Sequence, residues 1–172
     1  MARPLYRIQQ FLRALTARVR PAEWKLVEET LPLEAVSLFR RMPVADQRHG
    51  LDVLFALRAR GHEERALWAA ALLHDVAKSE GVHLWHRVPA VLIQGLRPDG
   101  LRRLASPDPR SWRYGFTLIL EHPHRGAEMA RAAGCSPDVV ELIRRHQDGP
   151  VLPPRSRLDE WLIALQAVDD AN

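Results

Sequence analysis

The chain has 172 residues, of which 47% are hydrophobic and 27% charged, and its formal net charge is +4 with a sequence pI near 10.0. A chain of this length forms one ordinary domain that buries about 70% of its unfolded surface, and no apolar run approaches the ~20 residues that span a bilayer. Because residues 1–4 lack the apolar core of a signal peptide and the lone Cys135 excludes an internal disulfide, we expect a cytoplasmic protein with no membrane partner.

The positive charge is carried almost entirely by arginine. The pairs Arg102-Arg103 and Arg144-Arg145 come nearest to a basic patch, and neither alternates with aromatic residues. A nucleic-acid-binding surface normally clusters its basic residues on one face. We therefore expect the arginines to form a solvated surface, compatible with a phosphate-bearing substrate, and we do not expect nucleic acid as a partner.

Three amphipathic helices are predicted before the first candidate site residue, over residues 4–19, 22–30 and 33–41. Each apolar stripe must be buried against something, so these helices either brace the rest of the chain or bind a partner. We favour the brace. The predicted organisation is therefore a set of N-terminal helices at residues 1–42, packed on one globular unit at residues 43–172.

The next predicted helix opens after Pro43 and closes at Gly61, where a left-handed cap is favoured. His49 lies on this helix in line with Val53 and Ala56. A single histidine on an apolar helix face is more often a hydrogen-bonded core residue than a metal ligand. The interpretation of His49 therefore depends on the residues that accompany it elsewhere in the chain.

The following predicted helix, over residues 63–78, contains an apolar run that His74 and Asp75 interrupt. Buried imidazole and carboxylate groups are costly unless they are paired or bind a metal. Lys78 lies four residues after His74 and three after Asp75, so helical geometry would place it over both. The dipeptide alone is frequent by chance, but with a cation beside it the stretch is typical of a hydrolytic metal site.

Residues 82–121 contain several turn signals and allow more than one interpretation. A helix is predicted over residues 88–97. His83 and His86 have a spacing that could bind a metal, but they follow the predicted helix stop and we interpret them as structural or surface residues. The segment is either a lid that covers the site and defines a substrate pocket, or an ordinary connector packed by aromatic side chains.

Three further candidate residues lie towards the C-terminus. His122 ends a segment predicted as helical or extended, and His146 ends the next predicted helix. The last predicted helix, over residues 157–171, brings Asp169 one turn beyond its buried face, and the adjacent Asp170 could substitute for it. Every predicted element has a period near 3.6 and no alternating strand pattern appears, so we predict an all-α fold.

The order of these residues resembles a known family signature. His49, then His74-Asp75, then Asp169 match the pattern of the HD-domain metal-dependent phosphohydrolases, in which a helix-borne His precedes a His-Asp pair and a distant Asp. In that family the pair often continues to a Lys, here Lys78. The resemblance implies that the two histidines and two aspartates bind a metal and that Asp75 and Lys78 are the catalytic residues.

The resemblance covers residues 44–172 and implies an HD-domain helical bundle, here with extra N-terminal helices. Two imidazoles and two carboxylates form a mixed nitrogen and oxygen site that suits Mn, Fe, Ni, Co, Mg or Zn. Four protein ligands around an octahedral ion leave two positions for water or substrate. Such an ion lowers the pKa of bound water and neutralises the charge that develops on a phosphate.

A second ion is an open alternative. The His-Pro-x-x-Gly-Ala pattern that begins at His122 recurs in HD proteins with two metals, so the resemblance suggests His122 and His146 as ligands of a second metal or of phosphate, with Asp75 as a bridge. Gln147 stands where such relatives often have another His, so a second ion should bind more weakly. The Gly-Tyr-Pro extension of relatives that cleave cyclic dinucleotides is absent, so we expect no preference for cyclic di-GMP.

The resemblance implies a metal-dependent phosphohydrolase that acts on a phosphomonoester or phosphodiester, such as a nucleotide, by attack of a metal-bound water. Its partner is then a small phosphorylated substrate, and a homo-oligomer is compatible with the sequence. The alternative is a catalytically silent, metal-stabilised module that regulates or binds a ligand. A nucleic-acid adaptor, the third alternative, rests on net charge alone.

Overall fold

The computed structural model of the chain describes residues 18–96, 99–149 and 152–171, and within them the secondary structure is helical, with no strand. The predicted all-α fold is confirmed. The helix predicted over residues 4–19 lies outside the described residues, except for its last two positions. The elements are α1 (Pro21–Thr30), α2 (Leu33–Arg41), α3 (Val44–Ala59), α4 (Arg65–Leu73), a 3-10 helix (Val76–Glu80), α5 (Leu84–Leu96), α6 (Gly100–Leu104), α7 (Tyr114–Ala132), α8 (Pro137–Arg145) and α9 (Arg157–Asp169).

The two N-terminal helices share the main apolar core with the rest of the chain. Val27 of α1 and Phe39 of α2 are fully buried and belong to the same cluster as the core residues of α3, α4, α8 and α9. Gln47 on α3 donates its side-chain amide to the carbonyl oxygens of Phe39 at 3.2 Å and Met42 at 2.9 Å, which caps the end of α2. These contacts fix the start of α3, which is the helix that carries His49.

Helix α4 lies at the centre of the core. Its sequence is almost continuously apolar and most of its side chains are fully buried, as expected for a helix that neighbours cover on every side. Gly50 of α3 meets it closely, because a Cβ built there would lie 3.0 Å from the carbonyl oxygen of Leu72. The glycine therefore allows α3 and α4 to approach beside His49 and His74.

The predicted helix over residues 63–78 is interrupted in the structure. Helix α4 ends at Leu73, Asp75 has φ −102° and ψ 7°, and the chain continues in the tighter 3-10 helix until Gly81 at φ +151°. In an unbroken α-helix the side chains of neighbouring residues point about 100° apart. The break instead brings the His74 imidazole and the Asp75 carboxylate side by side, with His74 Nε2 3.8 Å from Asp75 Oδ2.

The segment that the sequence left open, residues 82–121, packs around a small core of its own. This core consists of Val82, Ala90, Leu101, Phe116, Leu118 and Ile119. Helix α5 begins at Leu84, four residues earlier than predicted, and α6 was not predicted. Pro89 is the sixth residue of α5, so it lies inside the helix and removes one hydrogen bond from the ladder.

The C-terminal helices begin and end close to their predicted limits. Pro137 occupies the first turn of α8 after Ser136, and the Ser156 hydroxyl accepts a hydrogen bond of 3.2 Å from the backbone of Asp159 at the start of α9. Helix α9 buries Leu162 and Leu165 against the core. Among the residues described, no helix is long and apolar enough to cross a membrane.

Candidate metal centre

Six histidine and aspartate side chains converge where five segments of the chain meet. One comes from the middle of α3, two from the break after α4, one from α7, one from the end of α8 and one from the end of α9. They are the six residues that the sequence singled out as metal ligands: His49, His74, Asp75, His122, His146 and Asp169. Lys78, the predicted catalytic lysine, joins them through a 2.7 Å hydrogen bond from its Nζ to Asp75 Oδ2.

The first group of donors comprises His49, His74 and Asp169. Asp169 Oδ1 lies 2.8 Å from His49 Nε2 and 3.4 Å from His74 Nε2. One donor atom from each residue falls within 4.8 Å of the others, close enough to share one metal ion. The adjacent Asp170 is exposed at the end of α9, so the first acid of the pair is the one that faces the cluster.

The second group comprises Asp75, His122 and His146. Asp75 Oδ1 lies 3.3 Å from His122 Nε2 and 3.9 Å from His146 Nε2. The four-ligand set that the resemblance implied therefore falls into two parts, because Asp75 groups with the distal histidines. Since Asp75 Oδ2 is also 3.8 Å from His74 Nε2, this carboxylate lies between the two groups, as a bridging ligand would.

The three buried histidines of the cluster are oriented by the same kind of hydrogen bond. In each, ring atom Nδ1 contacts the backbone carbonyl three residues earlier, so that in the neutral ring Nδ1 carries the proton and Nε2 keeps its lone pair. The pairs are His74 with Ala71 at 2.9 Å, His122 with Ile119 at 2.7 Å and His146 with Ile143 at 2.7 Å. All three Nε2 atoms then point into the cluster in the form that binds a metal.

Pro123 makes the hydrogen bond from His122 to a backbone carbonyl possible in the middle of a helix. Helix α7 runs through Pro123, which has no N–H to donate to the carbonyl of Ile119 four residues earlier. The His122 imidazole donates to that carbonyl instead. The His-Pro dipeptide therefore fixes the ring of His122, and the segment is wholly helical rather than ending at His122.

The donor set fits a divalent cation. Buried polar atoms nearly always have a hydrogen-bond partner, yet His74 Nε2 and Asp75 Oδ1 are buried without one among the described residues. The Nε2 atoms of His122 and His146 face each other at 3.2 Å. Two lone pairs at that distance repel unless a cation or a proton lies between them. Imidazole nitrogen and carboxylate oxygen are donors that transition-metal ions accept.

The pKa values of both carboxyl groups in the cluster are lowered. Burial opposes the ionised form of Asp75, but Lys78 and His74 outweigh it and hold the pKa of this carboxyl well below its usual range. Burial likewise opposes the charge of Asp169, whose pKa is nonetheless lowered, chiefly by His74 and by hydrogen bonding to His49. Both carboxylates are therefore ionised at neutral pH, as ligands of a cation must be.

The pKa values of the buried histidines are shifted in opposite directions. Burial works against a charged His74, but the adjacent Asp75 and Asp169 raise its pKa to about 9. Burial, together with His74 and His122, lowers the pKa of His146 to about 3. The pKa of His122 is also lowered, by burial and then by Lys78. Without a bound metal, His74 is thus an imidazolium facing Asp75 and Asp169, and a bound cation would replace its proton.

Solvent reaches the cluster from one side. The side chains of His49 and Asp169 are 28% and 26% exposed and that of Lys78 is 19% exposed, whereas His122 is completely buried. The second group therefore forms the floor of the site, and His49 and Asp169 form its rim. Glu121, the residue before His122 on α7, is exposed and forms an ion pair with Arg125, so it does not join the cluster.

A cavity of about 320 Å³ lies beyond the end of the 3-10 helix. It opens between that helix and the starts of α5 and α7, and its walls include His83, Trp112, Tyr114, Ser111 and Glu80. His86 is buried beside it, accepts a hydrogen bond from the His83 backbone and donates to the Trp112 carbonyl at 2.9 Å. His86 is thus a structural residue, and neither it nor His83 belongs to the donor cluster.

An all-helical fold with converging imidazoles and carboxylates defines a protein with a candidate divalent-metal centre. The family model described as HD domain matches residues 47–170, and the chain belongs to the HD domain family. Members of this family are generally metal-dependent hydrolases. Neither the curated proteins nor the solved structures contain a match to the chain.

Sequence reasoning missed two features of this site. It treated residues 63–78 as one helix and so missed the break after Leu73, although the resemblance had suggested Asp75 as a bridge to His122 and His146. It also did not connect the histidines to the carbonyls that orient them. A signal for the second feature was present, since His122 precedes a proline and His146 ends a helix, and both positions leave a nearby carbonyl without its helical donor.

Proposed function

We propose that the protein is a metal-dependent phosphohydrolase that cleaves a phosphomonoester or phosphodiester, such as a nucleotide. The observation that supports it most is the shared position of Asp75 between two groups of metal donors. Buried donor atoms without partners and a lysine bonded to the bridging carboxylate add to this support. Membership of the HD domain family makes hydrolysis the first reaction class to test.

The metal ligands in this proposal are His49, His74, Asp75 and Asp169. A bound divalent cation would supply Lewis acidity, which acidifies a coordinated water and neutralises charge on a phosphoryl group. The protein's contribution is geometric, because the carbonyl-bound histidines hold their Nε2 atoms in place before any ligand arrives. The contact of Asp169 with His49 is of a different kind, because it joins the two donor atoms themselves, Oδ1 and Nε2, at 2.8 Å.

Lys78 has two roles in the proposal. Its ammonium group keeps Asp75 ionised and fixes Oδ2, so that Oδ1 remains turned towards the imidazoles. Its partial exposure at the rim lets the same group contact a phosphoryl oxygen of the substrate, where a positive charge stabilises the charge that develops during the reaction. Asp75 and Lys78 are therefore the proposed catalytic residues.

His122 and His146 are proposed as ligands of a second ion or of a phosphate group. Their Nε2 atoms lie on the buried side of Asp75, opposite the rim. The aromatic and polar walls of the 320 Å³ cavity suit the organic part of a nucleotide, with stacking against Trp112 or Tyr114. We further propose that the N-terminal helices are a brace on the domain and that the protein acts in the cytoplasm.

The test is phosphate release from a panel of nucleotides and p-nitrophenyl phosphate mono- and diesters, assayed with Mn, Mg, Ni and Co. We expect metal-dependent release from at least one ester by the wild type and none by Asp75→Ala. Asp170→Asn, which changes the exposed neighbour of Asp169, is the matched control and should retain activity. A panel with no release, from protein that binds metal, would instead support the silent regulatory module.

A further inference from the structure

A second cationic side chain is fixed close to the metal donors. Arg87, in the first turn of α5, binds the Asp46 carboxylate of α3 through two parallel contacts, Nη1 to Oδ1 and Nη2 to Oδ2, the latter 2.6 Å long. The side chain of Asp46 is 5% exposed. Because a two-point contact sets the plane of the guanidinium, Arg87 is held in a single orientation.

The position of this pair places Arg87 beside the site. Asp46 precedes His49 by three residues on α3, and side chains at that spacing lie next to each other on one helix face. Burial would lower the pKa of the guanidinium, but hydrogen bonding to Asp46, and then the charges of Asp46 and Asp75, raise it. Asp75 is therefore near enough for its charge to act on Arg87.

Arg87 has binding capacity that its structural contact does not use. The guanidinium has five N–H donors, and two of them go to Asp46 in the described part of the chain. Its side chain is 29% exposed, similar to His49 and Asp169 at the rim. A purely structural link between α3 and α5 would account for the two donors that Asp46 accepts, but it leaves the remaining donors of a partly exposed side chain without a role in the described part of the chain.

We propose that Arg87 binds a non-bridging phosphoryl oxygen of the substrate and that Asp46 is the positioning residue that orients it. This inference rests on the proposed phosphohydrolase function. Lys78 and Arg87 then provide two different cations near Asp75. Lys78 acts as a compact point charge, whereas the planar guanidinium sets the direction of the phosphoryl group.

The test is the affinity of the manganese-loaded protein for inorganic phosphate, measured by isothermal titration calorimetry. Loss of a charge-assisted hydrogen bond should weaken phosphate binding by about 10-fold or more in Arg87→Gln. Manganese affinity should change less than about 2-fold, because Arg87 is not a ligand. Arg48→Gln is the matched control and should bind phosphate like the wild type, since Arg48, like Arg87, forms a partly buried ion pair with a carboxylate, here that of Glu23 at 2.8 Å.

Two further variants separate a binding role from a structural one. Arg87→Lys keeps a positive charge beside Asp46 and should fold even if Arg87→Gln does not, with phosphate affinity still reduced because the two-point geometry is lost. Asp46→Asn should raise KM for a cleaved ester more than it lowers kcat, while Arg48→Gln should change neither. Wild-type phosphate affinity in both Arg87 variants would overturn the inference and leave the hydrolase proposal intact. Metal-loaded wild type that binds no phosphate and cleaves no ester would overturn both.

Discussion

Lys78 Nζ donates a 2.7 Å hydrogen bond to one oxygen of Asp75 and leaves the other oxygen facing the buried imidazoles. The three-residue spacing of the 3-10 helix makes this contact possible. The Lys78 ammonium thus keeps Asp75 ionised. The same hydrogen bond turns the other oxygen of Asp75 towards the metal donors.

Replacement of Lys78 should separate metal binding from catalysis. Lys78→Met removes the ammonium but none of the proposed ligands, so we expect metal content near that of the wild type and phosphate release reduced by about 100-fold. Lys25→Met is the control, because Lys25 is the other lysine of the chain and forms only an exposed ion pair with Glu29. Full activity in Lys78→Met would remove the lysine from the mechanism.

Because α3 and α4 approach each other closely at Gly50, one methyl group added at this position should destabilise the fold. In Gly50→Ala the new Cβ would lie 3.0 Å from a backbone oxygen that cannot move without moving α4. We expect a loss of about 1–3 kcal/mol in the free energy of unfolding, measured with urea, together with weaker metal binding. Gly149→Ala, at a position with nothing within 4 Å, should unfold like the wild type. Equal stability of the two variants would contradict the close packing.

The second group of donors predicts a two-step loss of metal. The His122→Ala, His146→Ala double variant keeps His49, His74 and Asp169, so we expect it to retain one ion while losing a weaker one during dialysis against limiting chelator. Activity should fall with the second ion. If metal content and activity both equal those of the wild type, these histidines are structural and the two-metal proposal fails.

The lone cysteine should be protected from alkylation by its environment. Burial raises the pKa of the Cys135 thiol from 9.0 to about 11. A raised pKa stabilises the folded state below pH 9, and that contribution is lost as the pH rises through 11. At pH 8.5 we expect iodoacetamide to react about 100-fold more slowly with the native protein than with the urea-unfolded chain. Equal rates would show that the thiol is freely ionised in the fold.

The extent to which the sequence predicted this structure depends on the range of the interactions involved. Helical periodicity is local, so the limits of α1, α2, α3 and α9 were predicted to within one or two residues. The break after Leu73 was not, because Ala and Leu favour a helix locally and only the surrounding imidazoles and carboxylates favour turning Asp75 out of it. The continuation of α7 through Pro123 was also missed, since the compensating hydrogen bond comes from a side chain.

The candidate site shows the same division. The family resemblance, carried by residue types and their order, was enough to select the six residues that converge. Their division into two groups joined by Asp75 was suggested by the resemblance alone, since it depends on how helices far apart in sequence cross. The role of these residues as metal ligands remains a prediction. The position of Arg87 could not be anticipated either, because its partner Asp46 lies 41 residues earlier in the chain.

Elemental analysis can show whether the converging histidines and aspartates form the proposed divalent-metal centre. Protein loaded with Mn and freed of excess ion should hold at least one ion per chain. His74→Ala should hold none at the first group, and Asp170→Asn, at the exposed neighbour of a proposed ligand, should match the wild type. Wild-type protein that retains no divalent metal, or His74→Ala that retains as much as the wild type, would contradict the account.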